Sequence, residues 1–142
     1  MFYGEFQYRV DDRGRVPLPP RFRRDLKDGL VLMAGVERCI TAYSLPAWKK
    51  LSDTLATPGS VTQDKMRRLN RYLFGTAFNL LIDSQGRITL PLNLREYAGI
   101  TNDVVVVGAN TYLEIWNQEL WEAEKIMSQE QAWQTIESLG GR

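Results

Sequence analysis

Val10-Asp11-Asp12-Arg13-Gly14-Arg15-Val16-Pro17-Leu18-Pro19 returns 72 positions later as Ile82-Asp83-Ser84-Gln85-Gly86-Arg87-Ile88-Thr89-Leu90-Pro91. The correspondence extends outward on both sides. Phe6 matches Phe78 upstream, and Phe22, Arg23 and Leu26 match Leu94, Arg95 and Ala98 downstream. After a slip of one residue, Gly35, Tyr43 and Trp48 match Gly108, Trp116 and Trp121. Halves this small cannot bury their own apolar faces well, so the pattern reads as a duplication whose copies pack on each other about a pseudo-twofold axis.

Each copy reads as β-β-α-β-β. A strand (Phe6 to Val10; Phe78 to Ile82) runs into Asp-x-x-Gly, where the aspartate can bond its own backbone and the glycine supplies a positive φ; a hairpin is expected there. Asp11, Gly14, Asp83 and Gly86 are the turn residues. The returning strand ends at proline. Phe22 and Leu26, or Leu94 and Ala98, then lie four apart, as on a short one-faced helix. Two β-rich runs close each copy: Leu30 to Met33 with Arg38 to Tyr43, and Val104 to Val107 with Thr111 to Trp116.

Between the copies, Leu45, Trp48, Leu51 and Leu55 have helical spacing after a Ser44 cap and an early Pro46, with a stop at Thr57-Pro58-Gly59. A second helix is expected from Ser60 or Thr62, with Met66, Leu69 and Leu73 on one face and Lys65, Arg67, Arg68 and Arg71 around the rest. The last helix starts at an Asn117 cap, carries Leu120, Ala123 or Glu124, Met127, Trp133 and Ile136 along a face, and ends at Gly140-Gly141. The chain thus divides into a first repeat over 5–48, a helical connector over 49–75, a second repeat over 76–121 and a C-terminal helix over 122–142.

A chain of 142 residues with 44% apolar and 25% charged content is expected to fold as one unit. Val104 to Val107 is too short an apolar run to span a bilayer, and no signal-peptide layout opens the sequence, so the cytoplasm is the expected compartment and no membrane partner is expected. The single cysteine, Cys39, reads as a small core residue of a strand. Histidine is absent, which removes His-based general bases, the Ser-His and Cys-His pairs and the commonest metal ligand. No catalytic residue, metal or cofactor is expected.

The net charge is only +1, but it is unevenly distributed. From Arg9 to Lys27, seven basic residues face three acidic ones; from Glu114 to Glu137, six acidic residues face Lys125 alone. One end is suited to phosphate and the other repels it. For Asp11 and Asp83 the reading as turn braces outweighs direct function. Arg15 and Arg87 fit either role, because an exposed guanidinium suits phosphates and guanine edges. Arg21, Arg23 and Arg24 alone would read as a solvated helix face; with Arg9, Arg13 and Arg15 they form a basic surface. An enzyme reading would pair Asp11 with Asp83 over a shared proton, but the glycine stands three residues after the aspartate rather than two as in an aspartic protease loop.

Asp-x-x-Gly-Arg followed by Leu-Pro and a short basic helix resembles the SpoVT/AbrB family of swapped-hairpin DNA-binding domains. Met1-Phe2-Tyr3-Gly4, the paired motifs, Leu45-Pro46-Ala47-Trp48 and Arg67-Arg68-Leu69-Asn70-Arg71 together are similar to the MraZ family of bacterial transcriptional regulators, across nearly the whole chain. The resemblance implies an α+β fold, a duplicated β-β-α-β-β swapped-hairpin (AbrB-like) barrel unit with pseudo-twofold symmetry and flanking helices. It further implies a cytoplasmic, nucleoid-associated regulator, most simply a repressor of its own promoter. The partners implied are double-stranded DNA, as short direct repeats upstream of a division and cell-wall gene cluster, and further copies of the chain in a ring.

By the same resemblance the DNA-facing positions are Arg15, Arg23 and Arg24. Arg87 and Arg95 correspond in the second copy, but Glu96 replaces the second helix arginine and Leu80 holds a strand position where a basic residue would be useful. Tyr8 departs at the equivalent first-copy position, beside Arg9. The first copy is therefore the expected contact surface. The rival roles are an antitoxin-like autorepressor, which usually has a disordered toxin-binding tail, and a non-DNA-binding assembly module on the same scaffold.

Overall fold

The computed structural model describes residues 1–56, 59 and 61–140. Its elements follow the duplicated reading. The first copy holds β1 (Glu5–Arg9), β2 (Arg15–Pro17), α1 (Pro20–Arg23), β3 (Leu30–Ala34) and β4 (Ile40–Ser44). Helices α2 (Leu45–Ala56) and α3 (Gln63–Gly75) connect it to β5 (Phe78–Leu80), β6 (Arg87–Thr89), α4 (Leu92–Ala98), β7 (Asp103–Gly108) and β8 (Leu113–Asn117). The chain then enters α5 (Gln118–Ser138). The architecture is α+β, and among the described residues no helix is long and apolar enough to cross a membrane.

The strands pair between copies. Six form one antiparallel sheet in the order β1-β7-β8-β4-β3-β5, and β2 pairs with β6 alone. Neither sheet closes on itself. The hairpin expected within each copy is therefore only partly present: the Asp11–Gly14 turn closes, with the Asp11 N–H donating to the Arg15 carbonyl at 2.9 Å, but β1 takes its ladder from β7 and β2 from β6. β5 likewise pairs with β3. The reason lies in the apolar pattern, since Val16 and Ile88 can be fully buried only when the two short strands lie against each other over a shared core.

That core draws equally on both halves. Val16, Leu18, Phe22, Leu26, Leu32, Ile40 and Ala42 pack with their counterparts Ile88, Leu90, Leu94, Ala98, Val104, Leu113 and Ile115. Phe2 joins them, and its ring stands edge-on to Phe22 with centroids 5.1 Å apart. α1 is shorter than the spacing of Phe22 and Leu26 suggests: it ends at Arg23, and Leu26 is buried from the turn beyond it. β7 is covered on both faces, which explains its unbroken valine run. Val104 and Val106 face the main core, whereas Val105 packs with Cys39, Trp116 and Trp121.

The helix starts follow their caps. Ser44 Oγ accepts the Ala47 N–H at 3.2 Å, and Asn117 Oδ1 accepts that of Leu120 at 3.0 Å. Thr57, Pro58, Ser60 and Gly141 lie outside the described residues; α3 begins after Thr62. The expected apolar face of α5 does not pack. Leu120, Met127, Trp133 and Ile136 are exposed, and Trp121 is the one buried residue of the helix.

Cys39 is buried, in the segment just before β4 rather than within a strand, and desolvation pushes its thiol far up. Burial likewise raises the neighbouring Glu114 carboxyl above the ordinary glutamate range, although the Trp116 indole N–H donates to its Oε1 at 2.9 Å. The native state therefore holds this proton more tightly than the unfolded chain does, and the protein loses stability as pH rises through the raised value. Glu114→Gln keeps an acceptor for Trp116. It is expected to raise the melting temperature at neutral pH, with the gain disappearing by about pH 4. Thermal melts across pH check this; a pH-independent gain would exclude burial of the charge as its source.

Candidate nucleic-acid interface

The two turns are built alike. Asp11 Oδ1 accepts the backbone N–H groups of Arg13 at 2.9 Å and Arg15 at 2.8 Å, while Oδ2 accepts Arg15 Nε at 2.7 Å. Asp83 does the same for Gln85 and Arg87, and Arg87 Nε donates to its Oδ2 at 2.9 Å. Gly14 and Gly86 sit at φ +77° and +78°, where a side chain would be strained. The Arg15 and Arg87 backbone N–H groups lead in holding their aspartates below the usual carboxylate range. A shared-proton dyad would instead raise one carboxyl, so this geometry gives no support to the paired-aspartate enzyme reading.

The copies interlock at these turns. The Leu18 N–H donates to the Gly86 carbonyl at 2.9 Å, and that of Leu90 to Gly14 at 2.8 Å. Arg23 Nε donates to the Leu18 carbonyl and Arg95 Nε to that of Leu90, each at 2.9 Å. Each guanidinium then lies flat on the opposite glycine: a Cβ at Gly86 would sit 2.2 Å from Arg23 Cζ, and one at Gly14 2.9 Å from Arg95 Cζ. Arg23 and Arg95 are thus half-buried clamps between the copies.

Antiparallel pairing of β2 and β6 sets Arg15 opposite Thr89 and Pro17 opposite Arg87, with Val16 and Ile88 turned into the core. Arg15 and Arg87 are therefore diagonal neighbours on one outer face, a separation of about 7–8 Å between backbones. Each side chain is 25% exposed. The aspartates engage Nε and leave the Nη groups for an outside acceptor, although Arg87 Nη1 comes within 4.0 Å of Asp11 Oδ2. Thr89 also stands exposed on this face. Sequence reading passed it over, and the alternation Arg87-Ile88-Thr89 was the signal for it.

The remaining predicted arginines divide. Arg13 and Arg24 are exposed and carry no side-chain bond among the described residues. Arg9 reaches Asp103 at 3.6 Å, with both side chains largely in solvent, a pair of little energetic weight. Arg21 is drawn over the Tyr3 ring, 4.1 Å from its centroid, toward the start of β1 and away from the turn that follows its end.

The family model described as "MraZ protein, putative antitoxin-like" matches residues 1–71 and 73–138. A protein of Dehalococcoides mccartyi named "Transcriptional regulator MraZ" is 56% identical over 142 residues, covering 99% of both chains. Proteins of the same name from Acetivibrio thermocellus and Herpetosiphon aurantiacus are 39% identical over 99% of both chains and 44% identical over 86% of this chain and 85% of the other. By this agreement along its length, the chain belongs to the MraZ family.

Proposed function

We propose that this chain is a sequence-specific DNA-binding transcriptional regulator that lays the β2–β6 ribbon in the major groove. The observation that carries the reading is the common outer face of Arg15, Arg87 and Thr89, one strand from each copy. The major groove admits a two-stranded ribbon, and arginine is suited to bidentate contact with guanine. Nε bonds to Asp11 and Asp83 hold the guanidinium groups in advance, which lowers the entropy lost on binding. The relatives' printed name supports the regulatory part.

In this reading, segments 5–48 and 76–121 are two AbrB-type swapped hairpins joined in one chain, with 49–75 as connector and 122–142 as terminal helix. The protein works in the cytoplasm at the nucleoid and represses the promoter of its own division and cell-wall gene cluster. It binds short direct repeats as a ring of copies. Each additional box then becomes an intramolecular contact, and three boxes bind more tightly than one by on the order of a hundredfold.

Selection from a random duplex pool with the purified protein is expected to enrich a short, regularly spaced motif. Recovery of no motif would reject sequence-specific binding. Arg9, Arg13, Arg21, Arg24 and Lys27 are all exposed on the first copy. Affinity for the selected duplex is therefore expected to fall with salt at a log–log slope of about −3 to −5, and Arg13→Gln to reduce that slope by about 1. A flat salt dependence would remove this basic surface from the interface.

A further inference from the structure

The β2–β6 ribbon is symmetric in its frame and unlike in one pair of side chains. Gly14 and Gly86 sit at φ +77° and +78°, each aspartate bonds its arginine in the same way, and Arg15 and Arg87 are both 25% exposed. The bonds that cross between copies match as well: the Leu18 N–H reaches the Gly86 carbonyl at 2.9 Å and the Leu90 N–H that of Gly14 at 2.8 Å. Position 89 is the counterpart of position 17, 72 residues on. Thr89 stands there in one copy and Pro17 in the other.

Leu18 with Gly86, and Leu90 with Gly14, face each other as hydrogen-bonded partners. By the alternation of an antiparallel ladder, the pairs next to them, Arg15 with Thr89 and Pro17 with Arg87, are the non-hydrogen-bonded ones. In such pairs the side chains stand closest, with Cβ atoms about 4.5–5.5 Å apart. Arg15 therefore has a threonine at its side and Arg87 a proline. Thr89 is exposed and its hydroxyl has no hydrogen-bond partner among the described residues, whereas Pro17 is half-buried and brings neither a hydroxyl nor an N–H. The backbone N–H at either position would point away from the ladder, which is why a proline is accommodated there. The copies also differ at Arg13 against Gln85 and at Arg24 against Glu96, all exposed, but these lie in the turns and helical segments rather than on the ribbon. They change the attraction for phosphate, which carries no sequence information.

Resting on the reading that this ribbon enters the major groove, we infer that Thr89 is a specificity-determining residue. Its hydroxyl bonds the base edge beside the guanine taken by Arg15, while Pro17 leaves the base beside the guanine of Arg87 unread. A threonine hydroxyl both donates and accepts, whereas proline offers apolar surface alone. Bases stack about 3.4 Å apart, so the spacing of Arg15 and Thr89 reaches the next base pair. The ribbon thus presents two like arginines with two unlike neighbours, and it sits on a box in one direction only. That is the condition for boxes to run as direct repeats; a ribbon with like ends would select boxes that are each an inverted repeat.

The test is selection from a random duplex pool with the native protein, Pro17→Thr and Thr89→Val in parallel. Both substitutions bring β-branched side chains that suit a strand, at positions outside the hydrogen bonds of the ladder, and circular dichroism reports whether each variant folds. The native box is expected to carry two guanines with unlike flanks. Pro17→Thr gives Arg87 the neighbour that Arg15 has, and it is expected to return a box whose halves match as an inverted repeat. Thr89→Val keeps the shape and removes the hydroxyl. It is expected to lower the preference at one base pair by about 3- to 10-fold, the contribution of one hydrogen bond, with both guanines retained. A native box that is already an inverted repeat, a native box returned unchanged by either variant, or a loss from Thr89→Val spread over the whole box would overturn the inference and leave the docking of the ribbon standing. Recovery of no box by the native protein would overturn both.

Discussion

Replacing Arg15 and Arg87 together by alanine is expected to lower affinity for a duplex recovered by selection to the level of unrelated DNA, with the fold unchanged. Each bidentate guanine contact contributes about 1–3 kcal/mol, or roughly 5- to 150-fold, and specific binding typically exceeds non-specific binding by about 4–10 kcal/mol. The paucity of basic residues in the second copy suggests that Arg87 matters less. The ribbon argues otherwise: Arg87 is the diagonal neighbour of Arg15, so a groove that receives one receives both. Arg87→Ala alone is therefore expected to lose affinity of the same order as Arg15→Ala. Titration of both variants on one duplex decides the point, and a loss confined to Arg15→Ala would show that the ribbon does not enter the groove as a unit.

Phe22→Ala is expected to cost about 3–5 kcal/mol of stability, lowering the melting temperature on the order of 10 °C or more. Phe22 is 2% exposed and receives Phe2 and Phe6 edge-on, with centroids 5.1 and 5.5 Å away. Its removal opens a cavity where the N-terminus, β1 and α1 meet, and relaxation there is limited. Gly108 already admits the backbone of Phe2 and Tyr3 so closely that a Cβ on it would sit 2.4 Å from the Tyr3 nitrogen. Denaturant titration measures the loss; a change below about 1 kcal/mol would mean that the N-terminal segment collapses into the space.

The four-residue turn motif was legible because its chemistry is local. Asp11 and Asp83 bond the backbone two and four residues on, and Gly14 and Gly86 take the positive φ, whatever surrounds them. Caps at Ser44 and Asn117 were legible for the same reason. So was the shared core, since residues 72 or 73 positions apart are buried together. By contrast, Arg23 and Arg95 read as solvated or DNA-facing helix residues, and that each is half-buried on the other copy's glycine was not legible. No periodicity along one copy announces a contact made across two.

The sequence alone therefore determined the paired turns, the caps at Ser44 and Asn117 and the apolar pattern of the shared core, all of which depend on neighbours a few residues away or on burial of a regular pattern, whereas the apolar stripe of α5 was equally regular and stays exposed. Tertiary structure decided which strands pair, and with them where the arginines stand. A strand's hydrogen-bonding edges are the same backbone groups whichever partner they meet, so pairing of β2 with β6 rather than β1 is set by the joint burial of Val16 and Ile88, a property of the assembled halves.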